Sequence, residues 1–189
     1  MTFEVGESRI AYRDEKHYMG IRLQTPFKGM FGEIDKLRKE LHTWFKVQGV
    51  EPEGPAFLRY HIIDMAGEMD IEYGIQMSQT LPGDLRVTPG VLQAGYYANL
   101  IYRGSGMSGN KALLRWAREN GIRWDRWDDA KGDAFRCRYE AYLTNPNIEP
   151  RKSKWEVDLA IKIADDQDGV VSKNERGGLK LETSILTGE

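Results

Sequence analysis

"GDAFRCRYEAY" (132–142) decides the fold, because the chain has already used a version of it. "GPAFLRYHII" (54–63) has the same Gly-x-Ala-Phe start and reaches its Arg-Tyr one residue sooner. Upstream, "LHTWFKVQGV" (41–50) matches "LLRWARENGI" (113–122) through Leu, Trp and Gly at a constant offset. Downstream, "DIEYGIQM" (70–77) mirrors "EVDLAIKI" (156–163), apolar on alternate positions with acids between. Three matches in one shared order indicate an internal duplication.

Each copy reads as β-α-β-β. Residues 17–24 and 91–103 are strand-like, rich in aromatic and aliphatic residues and bounded by Gly or Pro. Residues 28–48 place Met30, Ile34, Leu37, Leu41 and Trp44 at helical spacing, and Gly49 follows where a helix ends in a left-handed residue. A second helix, about 109–120, uses Leu113, Trp116 and Ala117 and stops at Gly121. Two strands follow each helix. The expected fold is an α+β domain with pseudo-twofold symmetry: one antiparallel sheet, helices on one face, and a ligand groove between the halves. The domain is expected to span 1–164, with halves of about 1–80 and 86–164. A polar extension covers 165–189, with a short strand at 179–186. Strand 17–24 is expected to be an edge, open to pairing with another chain.

Alternation along 133–146 puts Arg136, Arg138, Glu140 and Tyr142 on one face, and Phe135, Cys137, Tyr139, Ala141 and Leu143 on the other. If the helices cover the apolar sets, the opposite face collects Arg59, His61, Glu72, Gln76, Arg138, Glu140, Tyr142 and Asp158. The repeat aligns His61 with Glu140. A polar face with aromatic neighbours between two halves is a candidate ligand groove.

Composition narrows the classes. The 189 residues are 30% charged and 40% hydrophobic, with a net charge of −2, so no general basic face for nucleic acid is expected. One cysteine, Cys137, excludes an intrachain disulfide and fits a reducing cytoplasm. No apolar run approaches the length of a membrane span. His17, His42, His61 and Cys137 show no metal-ligand spacing, and no metal or cofactor is expected. "GSGMSGNK" (104–111) has Gly104 and Gly109 at phosphate-loop spacing, but Asn110 stands where the lysine belongs and Ala112 follows Lys111. A turn with Ser108 capping the helix accounts for it.

The aromatic residues cluster in the second half. Tyr96, Tyr97, Tyr102, Trp124, Trp127, Tyr139 and Tyr142 fall there, and Trp124 and Trp127 sit in the polar connection "RWDRWDDAKGD". Loop tryptophans suit a cavity cover or an oligomer contact. Glu140 has two readings at this point. One is a surface ion pair with Arg138 or an arginine on the next strand. The other is a carboxylate on the floor of an aromatic pocket, suited to cations or to acid–base work.

"GYYANLIYRG" (95–104), "WARENGIRWD" (116–125), "YEAYLTNP" (139–146) and "WEVDLAIKI" (155–163) together resemble the GyrI-like, effector-binding domain family over roughly residues 3–164. The resemblance implies the same duplicated module and places Glu140 in the ligand pocket with Tyr142 beside it. Asp158 then matches the acid of the final strand, with Glu72 as its pseudo-symmetric counterpart, and Tyr97, Tyr102, Trp124, Trp127 and His61 complete the expected ligand-binding set. "GSGMSG" in place of a Gly-Pro-Tyr rim, and Lys162 where proline is common, mark a subfamily.

The family implies a stand-alone binder of hydrophobic or aromatic, including cationic, small molecules, serving xenobiotic sensing or sequestration. An alternative is a hydrolase opening strained cyclopropane rings of genotoxic natural products, with Glu140 handling water and Tyr102 bonding the oxygen that gains charge. A second alternative is a modulator of a protein partner, such as a gyrase inhibitor. The fold starts within the first twenty residues, so direct DNA binding is not expected. A further reading fills the groove with the tail, through Leu179, Leu181 and Ile185.

Overall fold

The computed structural model describes residues 4–167 and 169–172; the expected strand at 179–186 and the tail leucines lie outside them. The strands are β1 (Glu4–Val5), β2 (Arg9–Arg13), β3 (Lys16–Pro26), β4 (Ala56–Ile63), β5 (Glu68–Met77), β6 (Thr88–Leu92), β7 (Gly95–Arg103), β8 (Arg126–Asp129), β9 (Gly132–Phe135), β10 (Arg138–Tyr142) and β11 (Glu156–Lys162). The long helices are α1 (Met30–Gln48) and α2 (Gly106–Glu119). One antiparallel sheet runs β1-β7-β11-β10-β4-β5-β3-β6. The sequences β3-α1-β4-β5 and β7-α2-β10-β11 are the two copies, and they meet where β10 pairs with β4, Glu140 opposite Leu58.

The helices end as their sequences predict. Gly49 (φ 68) and Gly121 (φ 67) take the left-handed conformation. The start of α2 differs: Ser105, not Ser108, is the cap, and its hydroxyl accepts from the Ser108 backbone N–H at 3.3 Å. The apolar stripe of α1 (Met30, Ile34, Leu37, Leu41, Phe45) packs on Ile21, Leu58, Ile71, Tyr73 and Ile75. Leu113 and Ala117 of α2 pack on Leu100, Tyr102, Val157, Leu159 and Ile161.

The other face of the sheet was expected to be polar and open. It holds a third core instead, of Tyr18, Phe57, Leu92, Tyr97, Cys137, Tyr139, Ala141 and Ala160. The cause lies in the leading strands. The expected single strand 91–103 breaks between β6 and β7, and the two parts serve different halves. β6 pairs with β3, while β2, from the first half, pairs with β7. Each half therefore lends a strand to the other's flank, and residues 16–20 are covered, not an open edge. Arg13 at the end of β2 reaches Tyr139 Oη on β10 at 2.7 Å, so the sheet closes over this face.

The repeat is also one residue out of step where it looked strongest. Arg59 pairs directly with Tyr139, and both point away from the helices, whereas Tyr60 packs toward α1. The matched phenylalanines part in the same way: Phe57 lies in the third core, whereas Phe135, expected to share a face with Cys137, Tyr139 and Ala141, packs with α2, and the bend at 136–137 separates it from them. A one-residue shift exchanges the faces of a strand. Glu140, Tyr142 and Arg138 therefore lie on the helix side, while Arg59, His61, Glu72 and Asp158 do not. The hairpin β8–β9 takes the place of the expected loop around Trp127.

Candidate functional site

The two helices leave between them an open cleft of about 1640 Å³ whose floor is the β10–β4 seam. Phe27, Met30, Phe31 and Ile34 wall it from the first half, and Met107, Leu114 and Trp155 from the second. Tyr60, Tyr73, Tyr102 and Tyr142 surround the centre.

Glu140 sits beneath them, 7% exposed. Its Oε1 accepts from Asn110 Nδ2 at 3.0 Å and its Oε2 from Tyr60 Oη at 3.4 Å. Burial raises its carboxyl above the ordinary value, against the opposing pull of Asn110, the Arg138 charge, Tyr60 and Tyr102. Burial and the neighbouring carboxylate also raise the phenols of Tyr60, Tyr102 and Tyr142, so all three stay protonated at neutral pH. Tyr142 packs edge-to-face on Trp155, ring centroids 5.7 Å apart, and the Trp155 indole N–H donates to Glu149 O at 2.6 Å. Glu140 is therefore not a surface ion pair; it is a buried carboxylate that lines the cleft.

The glycines of "GSGMSGNK" have a different task from cradling phosphate. A Cβ on Gly109 would stand 2.6 Å from Tyr102 Cδ1, and one on Gly106 would stand 2.9 Å from its hydroxyl. The first turn of α2 thus lies directly on the Tyr102 ring, and this close approach brings Asn110 to Glu140. Gly109→Val is expected to destabilise the fold by about 1–3 kcal/mol through overpacking against a rigid ring. Because Tyr102 must move, tyrosine solvent exposure should rise; an unchanged melting curve would refute the packing role.

Of the residues expected in the site, the structure brings together Glu140, Tyr102 and Tyr142. Glu72, His61, Asp158 and Tyr97 lie on the far face, in two internal networks. His61 Nε2 and Tyr18 Oη reach Glu72 Oε2 at 2.7 and 2.8 Å. Arg13 and Asn99 donate to Asp158, and Tyr97 Oη donates to Gln93 O at 2.6 Å. Trp124 bridges to Ile163 beside the second core. Trp127, 43% exposed, lies under the Arg136 guanidinium at 5.1 Å, away from the cleft.

The residues that sequence reading missed are Tyr60, Asn110 and Trp155. Asn110 was visible only as the residue that spoils a phosphate loop, and Trp155 as the first letter of a strand. Among the described residues, no three His, Cys, Asp or Glu side chains gather as metal ligands would.

Residues 6–164 match the GyrI-like small molecule binding domain family, and the chain belongs to it. No curated protein matches the sequence. Among solved structures it is similar to the C-terminal domain of EcmrR, at 14% identity over 84% of this chain and 98% of that one, TM-score 0.60. Against EcmrR in its DNA-bound transcription complex the identity is 15%, the TM-score 0.63 and the coverage 83% of this chain; the chain spans 57% of that longer one. A protein described as a hydrolase from Listeria innocua matches at 12% identity, covering 84% and 92% of the two chains, TM-score 0.55. SAV2435, bound to tetraphenylphosphonium, matches at 9% identity over 86% and 96%, TM-score 0.53. At these identities the likeness is one of fold. No helix among the described residues is long and apolar enough to cross a membrane.

Proposed function

We propose that this chain is a binding module for flat, hydrophobic aromatic compounds, cationic ones included, which enter between α1 and α2 and are anchored on Glu140. The observation that carries this reading is a buried carboxylate ringed by protonated phenols at the base of an apolar cleft. Such a floor favours a ligand with a polar or charged centre in an aromatic body, since ring faces and carboxylate both attract it. A phosphonium cation carried by SAV2435 in the same fold supports the same class. The single free, buried cysteine suits work in a reducing cytoplasm, where such a domain would serve xenobiotic sensing or sequestration.

Trp155 in the cleft wall is a built-in reporter. Flat aromatic amines should quench it and be recovered intact, and Glu140→Gln should weaken them about tenfold to a hundredfold while leaving aromatic hydrocarbons unaffected. The same variant should melt higher near neutral pH. A carboxyl whose folded pKa is raised adds stability below its unfolded value and loses it as pH rises through the folded one. Gln keeps the neutral form at every pH, so the gain, about 2–4 °C for each kcal/mol, should vanish in acid. Lower stability with unchanged affinity would remove Glu140 from the site.

A second reading has its own observation: Tyr102 lines the cleft with Glu140, whose charge adds to burial in raising the phenol, so a held proton lies near a carboxylate of raised pKa. In a hydrolase opening strained cyclopropane rings, Glu140 would take the proton of the attacking water and Tyr102 would donate to the oxygen that gains charge. Product mass decides it: one water added catalytically, lost in Glu140→Gln while quenching persists. Silence toward every compound would turn attention to a protein partner, as a gyrase inhibitor would have.

A further inference from the structure

Arg138 stands two residues before Glu140 on the same face of β10 and lines the same cleft. It is 9% exposed, and its guanidinium lies 4.7 Å from the centre of the Phe135 ring. Its Nη2 donates to Asn110 Oδ1 at 2.7 Å, while its buried Nε has no hydrogen-bond partner among the described residues. Asp133, the other acid whose charge acts on Arg138, is exposed and already paired with Arg126.

Asn110 is strung between the two charges. Its carbonyl faces the guanidinium, and its N–H₂ donates to Glu140 Oε1 at 3.0 Å and to Gly106 O at 2.9 Å. A primary amide is thus already held by this pair, C=O on Arg138 and N–H on Glu140. On the cleft floor a buried guanidinium sits one amide away from a buried carboxyl group. A permanent cation drawn to Glu140 meets Arg138 as well. A group with a donor beside an acceptor satisfies both.

We propose that the preferred ligand presents an amide-like edge, a ring N–H beside a C=O, on a planar aromatic body, and that Arg138 is a specificity-determining residue. Glu140 accepts the N–H and Arg138 donates to the carbonyl. The proposal rests on the reading of the cleft as a ligand site.

Four probes followed by Trp155 quenching and calorimetry test it: phenanthridinone, a planar lactam; its N-methyl derivative, which lacks the donor; phenanthrene, which has neither group; and tetraphenylphosphonium. The lactam should bind wild type at least tenfold tighter than each of the other three. Arg138→Met should weaken the lactam at least tenfold and tighten the phosphonium about tenfold, since Glu140 then stands unopposed. If that variant fails to melt cooperatively, the four-probe ranking on wild type still decides. Phenanthrene or phosphonium binding as tightly as the lactam would overturn the proposal and leave the cleft a ligand site. Failure of all four to bind would overturn both.

Discussion

Arg59→Met should lower stability by about 3–5 kcal/mol, the scale of breaking a buried charge network, while folded molecules keep their ligand affinity within twofold. Arg59 is 6% exposed on the face away from the helices. Its Nη1 donates to Tyr18 Oη at 3.0 Å and Val91 O at 2.8 Å, and its Nη2 to Gln93 Oε1 at 3.3 Å and Arg136 O at 2.9 Å. One guanidinium thereby ties β4 to β6, to the β6–β7 link and to the bend before β10. It also helps to keep Glu72 ionised. Burial alone would raise that carboxyl; bonds from His61 and Tyr18 and the Arg59 charge reverse the shift and leave it below the ordinary value. Methionine fills the space but strands two backbone carbonyls and weakens the compensation of Glu72. Urea unfolding and Trp155 quenching on the same samples give the two readings. A loss below about 1 kcal/mol would contradict the network's role. A parallel loss of affinity would mean that the two faces are not separate.

Phe57→Ala should cost about 3–5 kcal/mol through the cavity it leaves in the third core. Phe57 is fully buried and meets Tyr18 and Tyr139 edge-to-face, at 4.9 and 5.9 Å between ring centroids. The ring fits because its neighbour on β5 is Gly74, where a Cβ would stand 2.5 Å from Phe57 Cζ. Gly74→Ala alone should therefore destabilise, whereas in the Phe57→Ala background it occupies vacated space. Thermal melts of the two single variants and the double test this directly: additive losses would show that the residues do not share one volume.

The duplication, the sheet, both helices and their glycine stops were legible because each rests on local period and punctuation, which sequence states outright. Glu140, Tyr102 and Tyr142, which the structure places in one cleft, were named with the help of family likeness, while Tyr60 was not. The side of the sheet on which Glu140 lies was not legible, because the second copy turns the opposite face of this segment to the helices: Phe57 lies in the third core, while its match Phe135 packs with α2. The matched Arg-Tyr pairs at 59–60 and 138–139 therefore misled: their chemistry repeats while their direction does not. Glu72, His61 and Asp158 looked like site residues because polar groups on alternate positions suggest an open face. The exchange of β2 and β6 buries that face, and no residue near 61, 72 or 158 announces it. Asn110 could be found only after α2 was docked on Tyr102.

The exchanged strands have a consequence for how the molecule comes apart. Removing the first half takes β2 from the flank of β7, and removing the second takes β6 from the flank of β3. Neither portion keeps a complete set of strands, so loosening one side exposes unpaired backbone on the other, and the chain should open in a single cooperative step. A guest held between α1 and α2 then secures β2 and β6 at a distance. Its whole binding free energy appears in one thermal transition, scaling with the logarithm of its concentration over its dissociation constant. For a domain built from two copies, partial occupancy of the fold is not a resting state: the inheritance from each copy is usable only when both are present.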